Sequence, residues 1–332
     1  MTEYSIVILD PLPEASLARF RAQLPDGWTA SAAKSRSPDD QRDAIASAPF
    51  AITGDAPVTA ALFEHGAQAG LRAVHKWGVG YDAIDLEAAR RCGVHVLRTT
   101  GSNAVPVAET TVGLMLALGR NLVAGHMGLQ EGHWLKPQLA PRCGLLSGKT
   151  VGLIGFGAIG QSVARMLSGF GCTILYTKRT PVPSDVETAL NARFVDRETL
   201  IATSDIISLH CALTPDTSWM IDGAALARMK PGALLVNTAR GGLVDEAAVA
   251  EAVSSGHLGG AAFDVFAEEP VPQDNPLCHA DRIVTTPHIG GTAAETYAVT
   301  VRRMIANLAA IADERAPDAG DVLVLCGAHR LR

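Results

Sequence analysis

The sequence predicts an α/β protein with two domains, each built on a parallel sheet. Short apolar runs alternate with longer helical stretches along the 332 residues, a pattern typical of βαβ units. Most of these runs are apolar throughout rather than at every second position, which indicates sheets that are covered on both faces. A chain of this length exceeds one ordinary hydrophobic core, so we expect two domains.

The predicted strands fall into an early group and a later group. They are Ser5–Leu9, Leu71–His75 and Val94–Leu97, and then Thr150–Ile154, Thr173–Tyr176, Ile206–Leu209, Ala233–Val236, Ala261–Val265 and Arg282–Thr285. Helices are predicted between most of them, for example Ser162–Phe170 and Glu246–Ser254. The pattern of Asp321–Arg332 fits either a final strand or a packed extension.

Turn-rich segments mark the domain boundaries. One of them, Thr99–Asn103, precedes a long apolar helix, and another, Pro287–Thr292, precedes a helical run. We therefore predict that residues 1–103 and 293–332 form one domain. Residues 104–292 form the second domain, which is inserted into the first.

Charge and cysteine usage exclude several classes of partner. The formal net charge is −6 without a basic run, which argues against nucleic acid or an anionic membrane as a partner. The 6 cysteines form no CxxC pair, and no His/Cys cluster has metal-ligand spacing, so we expect no metal. The sequence shows no signal-peptide pattern and no apolar run of membrane-spanning length, and we expect a cytoplasmic protein.

A glycine motif points to a dinucleotide. Gly155, Gly157 and Gly160 follow the strand Thr150–Ile154 and precede a helix, which is the context that a GxGxxG motif requires. Gly155 permits the tight turn, Gly157 lets the backbone approach a pyrophosphate, and Gly160 lets the helix pack closely on the strand. The helix N-terminus favours the phosphate charges. We therefore predict a Rossmann-like cofactor domain.

The end of the next strand bears on the choice of cofactor. An acidic residue there would bind the ribose hydroxyls of NAD, but Thr177 takes that position, followed by Lys178 and Arg179. A cationic corner suits the 2′-phosphate of NADP, so we predict NADP as the preferred cofactor over NAD. The alternative is that Lys178 and Arg179 are solvated loop charges.

Three polar residues lie just beyond predicted strands of the second domain. Arg240, Glu269 and His288 each follow such a strand, at the edge of an open α/β sheet where ligands bind. A guanidinium can hold the carboxylate of a 2-keto acid, and an imidazole can exchange the alcohol proton. A carboxylate beside the imidazole can fix its orientation and favour its charged form. These residue types predict a catalytic set.

The chain closely resembles the D-isomer-specific 2-hydroxyacid dehydrogenases. The resemblance covers nearly the whole chain, and its carriers include, besides the glycine motif, Lys76–Asp82 (KWGVGYD), Gly101–Glu109 (GSNAVPVAE), Leu209–Pro215 (LHCALTP), Met229–Glu246 (MKPGALLVNTARGGLVDE), Ala261–Pro270 (AAFDVFAEEP) and Pro287–Gly291 (PHIGG). It implies two Rossmann-like domains, with the cofactor domain inserted into a flavodoxin-like substrate domain. It also implies that Arg240, Glu269 and His288 are the catalytic residues.

The resemblance further implies a set of binding residues and a homodimer. The backbone amides of Val79 and Gly80 would bind the substrate carboxylate, and Asp264 would bind the carboxamide of the cofactor. The remaining implied cofactor contacts are Ala158 and Ile159 at the pyrophosphate, and Cys211 and Ala239 near the nicotinamide. The segment Gly125–Pro141 resembles the family's dimer arm.

The predicted function is an NAD(P)-dependent D-2-hydroxyacid dehydrogenase, or 2-keto acid reductase, with a glyoxylate- or hydroxypyruvate-type substrate. One alternative is D-3-phosphoglycerate dehydrogenase, for which Lys76 could contact the substrate phosphate. The segment Thr53–Asp55, the other place for such a contact, holds no basic residue and carries an acid. An alternative of another class is a dinucleotide-sensing binding protein, because transcriptional corepressors share the resemblance.

Overall fold

The computed structural model describes residues 4–326, which divide into two compact units. Of the described residues, one unit comprises 4–103 and 293–326, and the other comprises 104–292. Each unit contains a predominantly parallel sheet with helices, so the predicted α/β class is confirmed. Within the described residues no single helix is long and apolar enough to span a membrane, although the bent pair Ala104–Gly119 and Leu122–Gln130 passes that test jointly.

The first unit has a six-stranded sheet. Its elements are β1 Tyr4–Ile8, α1 Glu14–Arg21, β2 Trp28–Ala32, α2 Pro38–Ala46, β3 Phe50–Thr53, α3 Ala60–Gln68, β4 Ala73–Lys76, α4 Leu86–Cys92 and β5 His95–Leu97, followed after the inserted unit by α13 Ala294–Ala312 and β13 Val322–Val324. The strand order is β13-β5-β4-β3-β1-β2, with β13 antiparallel to β5. The described part of the C-terminal tail therefore ends the sheet as a strand.

The second unit has a seven-stranded parallel sheet. Its elements are α5 Ala104–Gly119, α6 Leu122–Gln130, α7 Lys136–Leu139, β6 Thr150–Ile154, α8 Ala158–Leu167, β7 Thr173–Thr177, α9 Ser184–Leu190, β8 Ala192–Phe194, α10 Arg197–Thr203, β9 Ile206–Leu209, α11 Gly223–Arg228, β10 Leu234–Asn237, α12 Glu246–Ser254, β11 Gly260–Phe263 and β12 Ile283–Thr285. The order β12-β11-β10-β9-β6-β7-β8 reverses direction between β6 and β9. Ligands of doubly wound sheets bind at that switch point.

Aspartates begin several helices of the second unit. Asp196, Asp222 and Asp245 each accept a hydrogen bond from the backbone N–H three residues on, at the starts of α10, α11 and α12. Each cap satisfies a donor that the first helical turn leaves unpaired. Neighbouring residues of one strand point to opposite faces, so Leu235 and Val236 of β10 enter different hydrophobic clusters. The sheet is thus buried on both faces.

All the strands that the sequence predicted are present, with ends that shift by at most two residues. Three strands were not predicted: β2, β3 and β8. The helix predicted at Ser162–Phe170 starts earlier, because α8 begins at Ala158 directly after the glycine turn, and its last part, Ser168–Phe170, is a 3-10 turn.

Candidate active site

The glycine turn after β6 has the backbone geometry that a dinucleotide requires. Gly155 has φ +100°, and a Cβ there would collide with the backbone of His210 and Cys211. A Cβ at Gly160 would collide with the carbonyl oxygen of Gly155. A Cβ at Gly157, in contrast, would meet nothing within 4 Å. Two glycines are therefore needed for packing, and the third leaves open space at the start of α8.

The first N–H groups of α8 border that open space. Ala158 and Ile159 are the first helical residues, and Gly157 caps the helix without a side-chain hydrogen bond. N–H groups in the first turn have no partner within the helix, and the positive end of the helix dipole adds to them. This turn fits a pyrophosphate.

The loop after β7 lies beside the glycine turn. The N–H of Gly155 donates to the carbonyl of Thr177 at 2.9 Å, which fixes the end of β7 next to the predicted phosphate site. Lys178 and Arg179 follow as exposed side chains. The buried Tyr176 anchors this loop, because its hydroxyl donates to Glu187 at 2.8 Å and accepts from the Val182 N–H at 3.0 Å.

Glu269 and His288 form a direct pair. The distance from Glu269 Oε2 to His288 Nδ1 is 2.6 Å, and Glu269 Oε1 accepts the Phe266 N–H at 2.9 Å. Burial raises the pKa of Glu269, but the hydrogen bonds from His288 and Phe266 and the charges of His288 and Arg240 outweigh it and hold the pKa low. The carboxylate therefore stays ionised and stabilises a protonated imidazole.

Asp264 anchors the loop that carries His288. Its Oδ1 accepts from the Thr286 hydroxyl at 2.6 Å and the Ile289 N–H at 3.0 Å, and its Oδ2 accepts from the Gly290 N–H at 2.7 Å. The His288 N–H donates to the Asp264 carbonyl at 2.8 Å. His288 itself has φ +51°, a conformation that is costly for an L residue and needs such support.

Arg240 lies on the loop after β10, which is held from within. The Asn237 side chain donates to the Arg240 carbonyl at 2.8 Å and accepts the Ala239 N–H at 3.0 Å. A Cβ at Gly241 would collide with the backbone of Phe266 and Ala267. The loop that carries Arg240 therefore touches the loop that carries Glu269. The structure brings Arg240, Glu269 and His288 to one edge of the sheet.

Glu246 is a supporting residue that the sequence prediction missed. Its Oε1 accepts the Ala267 N–H and its Oε2 accepts the Asn275 side chain, both at 2.7 Å. It thereby holds the segment between β11 and β12 that carries Glu269. Glu246 looked like an ordinary acidic residue at the start of α12, so its sequence position gave no signal of this contact.

Two residues after β9 are held in their neutral forms. Burial raises the pKa of the Cys211 thiol to about 11, so the thiol is protonated and is not a nucleophile. Burial lowers the pKa of His210 to about 3, and its Nε2 lies 3.0 Å from the Ser208 hydroxyl. His210 packs under the glycine turn and was not predicted as a site residue.

The predicted substrate residues of the first unit follow β4. Lys76 ends that strand, and its Nζ lies 4.0 Å from Asp55 Oδ1. Val79 and Gly80 lie in the turn beyond it. Their role toward a substrate carboxylate stays a prediction. Arg36 is a basic residue here that the sequence prediction missed. It lies 3.9 Å from Asp55 and pairs with Asp10 at 3.0 Å.

Residues 112–290 match the family model described as "D-isomer specific 2-hydroxyacid dehydrogenase, NAD binding domain". The chain is 44% identical over 241 residues to the hydroxypyruvate reductase of Thermotoga maritima, covering 72% of this chain and 76% of the relative. It is 35% identical over 309 residues to the glyoxylate reductase of Korarchaeum cryptofilum, covering 92% of each chain. A D-3-phosphoglycerate dehydrogenase of Mycobacterium tuberculosis is 40% identical over 246 residues, which are 74% of this chain and 44% of that enzyme.

Solved structures of similar fold include a formate dehydrogenase of Granulicella, with a TM-score of 0.89, 25% identity and 99% coverage of both chains. An NAD-dependent formate dehydrogenase of Staphylococcus aureus, solved with NAD, has a TM-score of 0.86 and 30% identity, covering 97% of this chain and 100% of that one. An acyclic imino acid reductase, solved with NADPH and D-Arg, has a TM-score of 0.80 and 25% identity, covering 96% and 100%.

Proposed function

Because the chain belongs to the D-isomer-specific 2-hydroxyacid dehydrogenases, a family of NAD-dependent oxidoreductases, we propose that it reduces a small 2-keto acid to the D-2-hydroxy acid. The observation that carries this proposal is the 2.6 Å contact between Glu269 and His288. It supplies a proton-exchanging imidazole whose orientation and charge are set by a carboxylate.

The pair of Glu269 and His288 also distinguishes keto acid reduction from formate oxidation. Two of the similar structures are named formate dehydrogenase. Formate gives up a hydride and becomes carbon dioxide, so it has no hydroxyl proton for a base to remove. A 2-hydroxy acid must lose its hydroxyl proton as hydride leaves, and a keto acid must gain one. The pair of Glu269 and His288 is needed for a hydroxy acid or keto acid substrate, whereas formate oxidation does not require it.

The glycine turn fits a nicotinamide dinucleotide, since Gly157 leaves open space at the start of α8. The cofactor, when bound, supplies the hydride for the carbonyl carbon. In the reducing direction, protonated His288 gives its proton to the carbonyl oxygen, and Glu269 keeps the imidazole oriented through Nδ1. Arg240 binds the keto acid carboxylate and polarises its carbonyl. In the oxidising direction, His288 takes the hydroxyl proton.

Glyoxylate and hydroxypyruvate are the substrates that we favour over phosphoglycerate. The similar chains named hydroxypyruvate and glyoxylate reductase support this choice. Lys76 and Arg36 are the basic residues around Thr53–Asp55, and the carboxylates of Asp55 and Asp10 lie against them. A substrate phosphate would meet two negative charges there as well as two positive ones.

We propose NADP as the preferred cofactor, with NAD as the alternative. Thr177 ends β7 beside the glycine turn, and the exposed Lys178 and Arg179 follow it. One similar structure contains NAD and another contains NADPH, so the similar structures do not decide between the cofactors. The proposal rests on Thr177, Lys178 and Arg179. Arg179→Ala should raise the KM for NADPH at least tenfold and leave the KM for NADH unchanged, since a guanidinium–phosphate contact contributes ~1.5–3 kcal/mol.

We also propose a homodimer through the second unit. In and after α6, large apolar side chains are exposed: Leu122, Val123, Met127, Leu129 and Trp134, with Trp134 72% exposed. An apolar group of this kind marks an interaction surface. Size-exclusion chromatography with light scattering should give twice the chain mass, and Leu129→Asp with Trp134→Asp should give a folded monomer. A wild-type monomer would contradict the proposal.

The experiment that tests the function is a panel of 2-keto acids assayed with NADH and NADPH. Glyoxylate and hydroxypyruvate should give the highest kcat/KM. Formate oxidation with NAD or NADP should be at background level. A higher kcat/KM for phosphohydroxypyruvate would support the phosphoglycerate alternative. Binding of the cofactor without any turnover would instead support the sensing protein.

A further inference from the structure

The second sheet has a cavity at the edge where its strands begin, opposite the edge that carries Arg240, Glu269 and His288. Its volume is about 210 Å³, whereas a single water needs only ~10–15 Å³. Its walls come from the end of α5, the segment before β6 and the residues that lead into β9, β10 and β12. Because a strand of this sheet is ~15 Å long, the cavity is distinct from the predicted cofactor and catalytic loops.

The lining of this cavity is strongly basic. Its basic residues are Arg120, Arg142, Lys149, Lys230 and Arg282, and its acidic residue is Asp205. Two of the cations have carboxylate partners, because Lys230 lies 3.0 Å from Asp205 and Arg142 lies 3.3 Å from Asp281. Within residues 4–326 no carboxylate lies within 4 Å of the charged groups of Arg120, Lys149 or Arg282, although the charge of Asp205 acts on Lys149 and that of Asp281 on Arg282 from farther away. This concentration of positive charge stands out in a chain with a net charge of −6.

Arg282 carries a second, independent signal. Its Nε is buried and has no hydrogen-bond partner among the described residues. Its backbone has φ +63°, a conformation that is an outlier for a bulky residue and is typical of functional sites. Burial and the nearby charge of Arg142 lower the pKa of its guanidinium, and they outweigh the charge of Asp281, which raises it. A buried donor without a partner costs ~1–3 kcal/mol, and an anion would remove that cost.

We propose that this cavity binds a dianion, a phosphate group that is either free or part of a small metabolite. Arg282, Lys149 and Arg120 would hold it. A planar guanidinium offers paired N–H donors to two phosphate oxygens, and the lysine ammonium adds a point charge. Three cations that lack a carboxylate at ion-pairing distance match a doubly charged ligand better than a monovalent anion such as chloride.

The test measures the binding of inorganic phosphate to the purified protein by calorimetry and by thermal unfolding. Both measurements are made at saturating NADPH, so that the cofactor site is occupied. At constant ionic strength, phosphate replacing chloride should raise Tm by ~2–4 °C or more. Glycerol 3-phosphate tests the other source of the group. Tighter binding than phosphate indicates a phosphorylated metabolite, and weaker binding indicates the free ion; either outcome supports the site.

The decisive variant is Arg282→Asn, because asparagine tolerates a positive φ and removes the guanidinium. It should weaken phosphate binding at least tenfold, as should Lys149→Gln. The matched control is Arg193→Ala, which removes an exposed arginine of β8, the strand at the other end of the sheet, and should leave phosphate binding unchanged. Equal loss in Arg193→Ala, or no phosphate effect beyond that of chloride, overturns the proposal. A further result would also overturn it: the wild type binds no phosphate, and Arg282→Asn turns a dimer into a monomer. The cavity would then serve an interface between subunits.

Discussion

The two edges of the second sheet carry opposite kinds of polar chemistry. At the carboxyl edge, Asp264, Glu269 and Glu246 accept backbone N–H groups of the loops that they support. At the amino edge, Arg282 has a buried nitrogen without a partner among the described residues. The catalytic loops are therefore held in place by the protein alone, whereas Arg282 Nε at the amino edge is a buried donor that an anion would satisfy.

The largest effect should come from removing the proton donor of the carboxyl edge. His288→Ala should lower kcat by ~10²–10⁴-fold, the range that general acid–base catalysis contributes. The cofactor Kd, measured by fluorescence titration, should stay within about twofold. His65→Ala, at a half-buried histidine of α3 in the other unit, is the control and should be fully active. Retained turnover in His288→Ala would remove the assignment.

The next effect tests whether Asp264 positions His288. In Asp264→Asn an amide N–H₂ replaces an oxygen that now accepts from Thr286, Ile289 or Gly290, so a donor would face a donor. We expect kcat to fall ~10²-fold through misplacement of the loop, and the free energy of unfolding to fall by about 1–3 kcal/mol. Steady-state kinetics and urea unfolding measure both. Asp216→Asn, an exposed loop residue, should change neither; an unchanged kcat in Asp264→Asn would show that the loop holds without it.

A pair of glycine variants separates packing from ligand space at the same edge. Gly160→Ala places a methyl group against the carbonyl of Gly155 and should destabilise the protein by about 1–3 kcal/mol. Gly157→Ala should leave Tm unchanged, because the methyl group enters open space, and should raise the cofactor Kd. Thermal unfolding and titration test both. A large loss of stability in Gly157→Ala would contradict the fit of this turn to a pyrophosphate.

The smallest effect concerns acid sensitivity at the amino edge. Burial raises the pKa of Asp205, but the hydrogen bond from the Thr150 N–H and the charges of Lys230 and Lys149 outweigh it and hold the pKa below its ordinary value. Since its pKa is lower in the folded protein than in the unfolded chain, its stabilisation is present above pH ~4 and is lost as pH falls through the folded pKa. Asp205→Asn should lower the free energy of unfolding at pH 7 by less than ~1 kcal/mol. The difference in stability between the wild type and Asp205→Asn should be smaller at pH ~3.5 than at pH 7. A difference that grows toward low pH would contradict this sign.

The catalytic edge could be predicted from sequence because the information is local. Arg240, Glu269 and His288 each follow an apolar strand, and parallel strands bring their carboxyl ends to one edge. The glycine motif lies between a strand and a helix, which fixes its context. In contrast, β2 and β8 are edge strands with polar residues, so their patterns were too weak. The short apolar run of β3 was missed although it resembles the predicted strands.

The supports and the basic cavity could not be predicted because they depend on tertiary contacts. Glu246 reaches residues 21 and 29 positions away, and Asp264 reaches residues 22 to 26 positions away. The cavity joins side chains from Arg120 to Arg282, which no spacing rule connects. The positive φ of Arg282 could not be predicted from the sequence either, since residues with a positive φ are usually glycine or asparagine.

The most direct test of the carboxyl edge is the pH dependence of kcat/KM for glyoxylate reduction in the wild type and in Glu269→Gln. The low pKa of Glu269 keeps a negative charge beside His288, so the protonated imidazole should persist to higher pH in the wild type. Glu269→Gln should therefore lose activity at a pH at least one unit lower, with a lower maximal rate. Identical pH limits in the two proteins would contradict the account.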